Sequence, residues 1–227
     1  MLNSPLAIVT FLFVIASFGV GIFSLLKNPK SKVVRLWFLM SLASGLWSGF
    51  FLLTLSAIEK GIADKVILYS NILHAGAAFI PILFIHFVLA LLYKEKNYKI
   101  FLAIGYILAL IFSILSFTKY IIAGAAPTSY FPLWPTIGSL YILMVVYFWI
   151  YAFASIYFLF KGYKESDGIV KKKILFILIA ALIGFLGGGT NWLPQLFDVY
   201  PAGMFIAWVY PFFIIYGIFI DEIKIKF

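Results

Sequence analysis

Seven apolar runs divide the chain, at approximately residues 5–26, 36–58, 66–93, 100–117, 138–160, 174–193 and 203–220. Each is bounded by charged residues or by clusters of Pro, Gly and Asn. A helix crossing a hydrocarbon core about 30 Å thick needs roughly 20 mostly apolar residues. Transmembrane strands would instead alternate apolar and polar over about ten residues. These runs are longer than that and apolar on all sides, and backbone groups in lipid must be satisfied within the segment, which selects helices. The pattern predicts an all-α membrane protein, a bundle of seven transmembrane helices in a single domain covering residues 1–227.

Composition closes the other routes. Hydrophobic residues make up 65% of the 227 positions and charged residues 11%, and mean hydropathy is +1.12. A soluble domain carries about 25% charged residues, because its surface faces water. A soluble enzyme, a nucleic-acid-binding domain and a disordered tail are therefore excluded. No cysteine is present, so disulfides and thiolate-metal sites do not arise.

The net charge of +9 is unevenly placed. Fourteen of the 17 basic residues lie in alternate connections and at the C-terminus: Lys27, Lys30, Lys32 and Arg35, then Lys94, Lys96 and Lys99, then Lys161, Lys164 and Lys171–Lys173, then Lys224 and Lys226. The opposite connections hold Lys60, Lys65 and Lys119. The positive-inside rule places the N-terminus outside and the C-terminus in the cytoplasm. No basic region precedes the first run, so it is read as a retained helix and not as a cleaved signal. No internal repeat is visible.

Helices in lipid associate through close packing at small residues. Ser41, Gly45 and Gly49 form such a ladder on helix two, and Ala180, Gly184 and Gly188 form another on helix six. Both fit contacts within the bundle; a homodimer face is the other use of such a ladder. Pro81 in helix three and Pro211 in helix seven predict kinks, because proline removes a backbone donor. Gly187–Gly189 offers a third place to bend.

All eight acidic residues fall at or beyond the span ends. Proton-driven transport needs charge within the membrane, and a retinal Schiff base needs a lysine that helix seven lacks, so neither chemistry nor any cofactor is indicated. His74 and His86 lie 12 residues apart on one helix, about 18 Å along its axis, and cannot share a metal. Pockets combine apolar walls with a few convergent polar groups. On that ground Asn71 and His74, with Trp47, Asn191, Gln195 and Trp208, are the candidate ligand contacts in a cavity near the outer leaflet. Trp134, Trp192 and Tyr200 are assigned to the outer aromatic belt. The connection at about 118–137, rich in proline and aromatics, is read as a partly ordered lid.

Several motifs in order along the chain carry a resemblance. Arg35-Leu36-Trp37-Phe38 opens helix two, with Trp47 following; Gly76-x-x-Phe79-Ile80-Pro81 leads to His86-Phe87. Gly187-x-x-x-Asn191-x-Leu193, Tyr200-Pro201-x-Gly203 and Tyr216-Gly217-Ile218 before Asp221-Glu222-Ile223 complete the set. Over essentially its whole length the chain resembles the N-terminal seven-transmembrane region of bacterial membrane histidine kinases. The resemblance implies a sensor of a two-component system in a bacterial inner (cytoplasmic) membrane, without catalysis of its own. It would pass a small-ligand, lipid-like or membrane-state signal through helix seven to a cytoplasmic kinase or other output module, and dimerisation is implied with it. The phosphoacceptor helix and ATP-binding domain have no counterpart here; the chain ends seven residues after helix seven. That fits either an excised sensor or a bundle that signals through a separate partner. A small-solute permease and an accessory scaffold subunit are the alternative readings.

Overall fold

A computed structural model describes residues 4–221. Helix α1 spans Pro5–Lys27 and α2 Lys32–Glu59. Each begins at a serine whose hydroxyl accepts a first-turn amide, Ser4 from Ala7 and Ser31 from Val34, satisfying one of the donors that a helix start leaves open. The third span is α3 (Ala63–Ala77) with α4 (Phe79–Leu91), and the fourth is α5 (Lys99–Leu115) behind a short 3-10 turn at Glu95–Tyr98. The fifth is α6 (Tyr141–Glu165) and the sixth α7 (Gly168–Gly189), which continues through a 3-10 turn at Thr190–Trp192 into the short α8 (Leu193–Phe197). The seventh consists of α9 (Met204–Ala207) and α10 (Tyr210–Phe219).

The first five spans are each long and apolar enough to cross a membrane outright; the 22-residue α7 and the α9–α10 pair complete the seven. The chain is a multi-pass membrane protein with a seven-helix bundle. Of the expected basic residues, Lys224 and Lys226 lie outside the described residues, as do Glu222 and Ile223 of the last motif.

The third and seventh spans are interrupted in the same way. Helix α3 ends at Ala77 and α9 at Ala207, each four residues before a proline, Pro81 and Pro211. The missing proline N–H leaves the carbonyl four residues back without its partner, and the ladder breaks there. Near the first break the Tyr147 hydroxyl of α6 donates to the carbonyls of Ala78, at 3.0 Å, and Gly105, at 3.2 Å. That one side chain ties the third, fourth and fifth spans together. Helix α7 runs helical through the three glycines at 187–189 and passes into the 3-10 turn directly after them. Gly187 and Gly203 let two backbones meet: a Cβ on either would lie within 2.8 Å of the other's carbonyl oxygen.

Packing closes a ring. Helix α1 packs on α2, α2 on α3 and α4, α4 on α6, α6 on α7, α7 on α9 and α10, and these return to α1. The fourth span stands outside, against the third: 22% of its apolar stretch is buried, against 72% for the third. One continuous buried cluster runs from Leu6 to Ile214.

The connection read as a partly ordered lid is a hairpin. Strand β1 (Ile122–Ala126) pairs antiparallel with β2 (Trp134–Ile137), Ile122 opposite Ile137 and Ala126 opposite Trp134, with an irregularity between Ile122 and Gly124. It is the β structure among the described residues of an otherwise helical chain.

Candidate functional site

The two ends of the bundle carry different chemistry. On one face the lysine-rich connections are stitched to one another. Lys32 bonds Glu95 at 2.8 Å, Lys94 pairs with Glu165 at 3.3 Å, and Lys173 pairs with Asp221. The Lys27 ammonium lies 4.3 Å from the centre of the Phe219 ring. The exit of the seventh span is thus held from both sides, by the first span and by the sixth. The Lys173 hydrogen bond keeps the Asp221 carboxyl below the usual aspartate range.

The opposite face is closed by the hairpin. Asp198, in the left-handed conformation that ends α8, accepts from the Ser129 hydroxyl and from its amide, at 2.9 Å. Those two donors hold the Asp198 carboxyl below its ordinary range. Phe131 stacks between Trp134, at 4.2 Å, and Tyr200, at 5.9 Å. Below this cover lies a buried polar chain. The Trp134 indole donates to the Gln195 carbonyl, the Gln195 amide donates to the Tyr141 hydroxyl, and that hydroxyl is 3.2 Å from His74 Nε2. His74 Nδ1 lies 2.7 Å from the Ser70 carbonyl. Tyr141 is 0% and His74 2% exposed, so the chain joins hairpin, α8, α6 and α3 inside the protein.

A cavity of about 50 Å³ lies at the centre of the ring, and all six ring spans line it. Phe13 comes from α1, Met40, Ser44 and Trp47 from α2, Phe84 from α4, Phe148 from α6, the sixth span's small residues from α7, and Tyr210 from α10. No charged residue contributes. Its polar feature is the Tyr210 hydroxyl, which donates to Ser44 Oγ at 3.0 Å.

The six candidate contacts do not meet in one place. Trp47 lines the cavity, stacked on Phe51 with ring centres 5.7 Å apart. His74 and Gln195 belong to the polar chain. The Asn71 amide, oriented to donate, reaches the carbonyls of Ser116, at 3.0 Å, and Ile67, at 3.2 Å, and so ties the third span to the fourth. The Trp208 indole donates to the Phe205 carbonyl at 3.1 Å and lies away from the cavity. Asn191 is 3% exposed, and its Oδ1 has no partner among the described residues. Helical geometry explains the dispersal: residues one turn apart share a face only approximately, and His74 points to α6 where Asn71 points to α5.

Of the small-residue ladders, Ser41 and Gly45 meet α1. A Cβ on Gly21 would lie 2.6 Å from that of Ser41, and one on Gly45 2.8 Å from the Phe18 ring. A Cβ on Gly49 would meet nothing within 4 Å outside its own helix backbone. Ala180, Gly184 and Gly188 line the cavity. Trp134 and Trp192, assigned to the aromatic belt, are 2% and 6% exposed. The first is drawn inward by Gln195, and the second is turned onto the cavity by the 3-10 segment that follows α7. Tyr141, Tyr210 and Ser44 were not singled out by sequence; nothing in an apolar run distinguishes these positions from other tyrosines and serines.

Comparisons with curated proteins and with solved structures find no match. Residues 9–221 match the family model described as the N-terminal 7TM region of histidine kinase. The match covers all seven spans and both faces of the bundle, and the chain belongs to the family of N-terminal seven-transmembrane regions of histidine kinases.

Proposed function

We propose that the chain is the signal-input region of a bacterial inner-membrane receptor, that it receives its signal within the six-span ring, and that the seventh span carries this signal to a cytoplasmic kinase module. The lysine-rich face is the cytoplasmic one in this reading, and the hairpin face is outside. The observation that carries it is the placement of the seventh span. Tyr210 stands in the cavity wall, bonded to Ser44 of α2, while Phe219 and Asp221 sit against Lys27 and Lys173 at the other end. Pro211 lies between them, next to the break, where a helix pivots most easily. A ligand shifts such an equilibrium only by its differential affinity for the two arrangements, and contact with Tyr210 supplies a place for that difference.

The test joins the chain in register to a histidine-kinase output module and measures autophosphorylation in membrane vesicles. Lys173→Ala and Asp221→Asn each free the exit of the seventh span and should change basal output several-fold in the same direction. Output indifferent to both changes would remove the seventh span as the transmitter.

A further inference from the structure

We propose that the central cavity is a binding site for an uncharged hydrocarbon chain carrying at most one hydroxyl or carbonyl group, and that Gly188 keeps the site open. The site deepens the sensor reading and rests on it for its purpose; the binding itself is a property of this chain.

Packed interiors leave few voids larger than a water molecule, so a void shared by every span of the ring calls for a reason. The sixth span shows that this one is built. At Gly184 the absent side chain is used by a neighbour, since a Cβ there would lie 3.1 Å from the Tyr210 ring. One turn further on, at Gly188, no atom beyond the helix's own adjacent backbone lies within 4 Å of the position a Cβ would take. Glycine is a poor helix former, and small residues in membrane helices ordinarily bring a neighbouring helix close. At Gly188 no neighbour has come close, and the residue lines the cavity.

The lining selects the ligand. Aromatic rings from Phe13, Trp47, Phe84, Phe148, Trp192 and Tyr210 form most of the wall, and a charged headgroup buried there would have no counter-charge. An apolar cavity stays dry and accepts apolar guests, and one that holds benzene measures about 150 Å³. At about 50 Å³ this cavity is a third of that size, room for a few carbons at the end of a slender chain and not for a ring. One polar group of a guest can be met. Ser44 Oγ accepts the Tyr210 proton, while its own proton faces only the Met40 sulfur at 3.7 Å. A thioether is a weak acceptor, so that proton is available to a hydroxyl or carbonyl oxygen of the guest. The chain can come from the tail of a bilayer lipid or from a free long-chain alcohol.

The experiment uses the whole chain in nanodiscs of saturated phosphatidylcholine and reads tryptophan emission, since Trp47 and Trp192 line the cavity. Bromine quenches indole on contact. One arm titrates 3-bromoundecan-1-ol, whose bromine lies close to the hydroxyl that Ser44 would meet; the other replaces part of the lipid with phosphatidylcholine brominated near the ends of its acyl tails. The expected result is a saturable quenching component in the natural chain that is lost in Gly188→Leu and in the double variant Trp47→Phe, Trp192→Phe. Saturation in the alcohol arm alone identifies a free alcohol as guest, and saturation in the lipid arm alone identifies a tail. Gly188→Ala, which fits the open space, should weaken the component several-fold and serves if the leucine variant fails to insert. Quenching that rises linearly and equally in natural and Gly188 variants, or that survives loss of both cavity tryptophans, would overturn the site. Saturable binding with unchanged kinase output would keep the site and remove it from the sensor reading. Output that responds to Lys173→Ala without any saturable quenching would do the reverse.

Discussion

Gln195 and Tyr141, 54 residues apart in sequence, share a buried hydrogen bond that runs in one direction only. An indole N–H can only donate and a carbonyl can only accept. Trp134 therefore fixes which end of the Gln195 amide faces Tyr141, and the Ser70 carbonyl fixes the His74 proton on Nδ1. His74 Nε2 is then the acceptor for the Tyr141 proton. Every member is satisfied when His74 is neutral, and the chain of donors leads from the hairpin to the third span.

Tyr141→Phe removes the middle member and leaves both Gln195 and His74 short of a partner in a buried place. Stranding a buried polar group costs about 1–3 kcal/mol, so the variant should melt clearly below the natural chain in detergent. Gln195→Leu strands the Trp134 indole in its turn, and combined with Tyr141→Phe it should cost less than the sum of the two single losses, because the two residues share one bond. Additive losses in the double variant would show that the two residues do not act as one unit.

The glycines offer a sharper contrast. At Gly21 an added methyl meets the Cβ of Ser41 at 2.6 Å, with both helix backbones close behind. Overpacking of this kind costs about 1–3 kcal/mol, and Gly21→Ala should lower the melting temperature. Gly49→Ala meets nothing within 4 Å and should be neutral or raise it, since alanine gains up to about 1 kcal/mol over glycine in a helix. Equal behaviour at the two positions would contradict the packing of α1 on α2.

The spans were legible because a membrane imposes length: runs such as 36–58 and 66–93 need only be counted, and α2 and α3–α4 fall on them within a few residues. The hairpin was not. Ile122–Ala126 is mostly small residues, and Trp134–Ile137 contains Pro135, which reads as loop; a two-stranded ribbon tolerates it because each strand has a free edge. His74 and Gln195 stood out as polar residues in or beside apolar runs. Their link, Tyr141, did not, since tyrosine is at home in either setting and the chain has 14 of them. The cavity was illegible for a different reason. A ladder such as Ala180–Gly184–Gly188 encodes missing volume, and sequence does not say whether a neighbouring helix or a void takes it up.

Asp198 makes the hairpin's attachment sensitive to acid. Its carboxyl titrates below the usual aspartate value, first through the Ser129 hydroxyl and then through the amide. A folded-state value depressed in this way means the contact is fully present above the ordinary aspartate value of about 3.9 and is lost as pH falls through the folded one. Hydrogen exchange at the Ser129 amide, corrected for its intrinsic pH dependence, should lose protection only in that acid range. Asp198→Ala, which removes the acceptor, should expose the amide at neutral pH and flatten the profile. Protection that stays constant into strong acid would detach the hairpin's closure from Asp198.

The orientation of the bundle can be read directly, because the chain has no cysteine of its own. The lysine connections are gathered on one face by Lys32–Glu95, Lys94–Glu165 and Lys173–Asp221, and the hairpin lies on the other. A single cysteine on each face therefore reports a whole side and not one loop. Ala123 on β1 and Lys172 near the start of α7 are both exposed, and neither carries a contact on which the two faces depend. With the lysine face in the cytoplasm, Ala123→Cys should react with a membrane-impermeant maleimide in intact cells once any outer membrane is opened. Lys172→Cys should react only after the inner membrane is breached. The reverse pattern would put the lysines outside, against the bias of basic residues toward the cytoplasm. It would also turn the exit of the seventh span away from any cytoplasmic kinase.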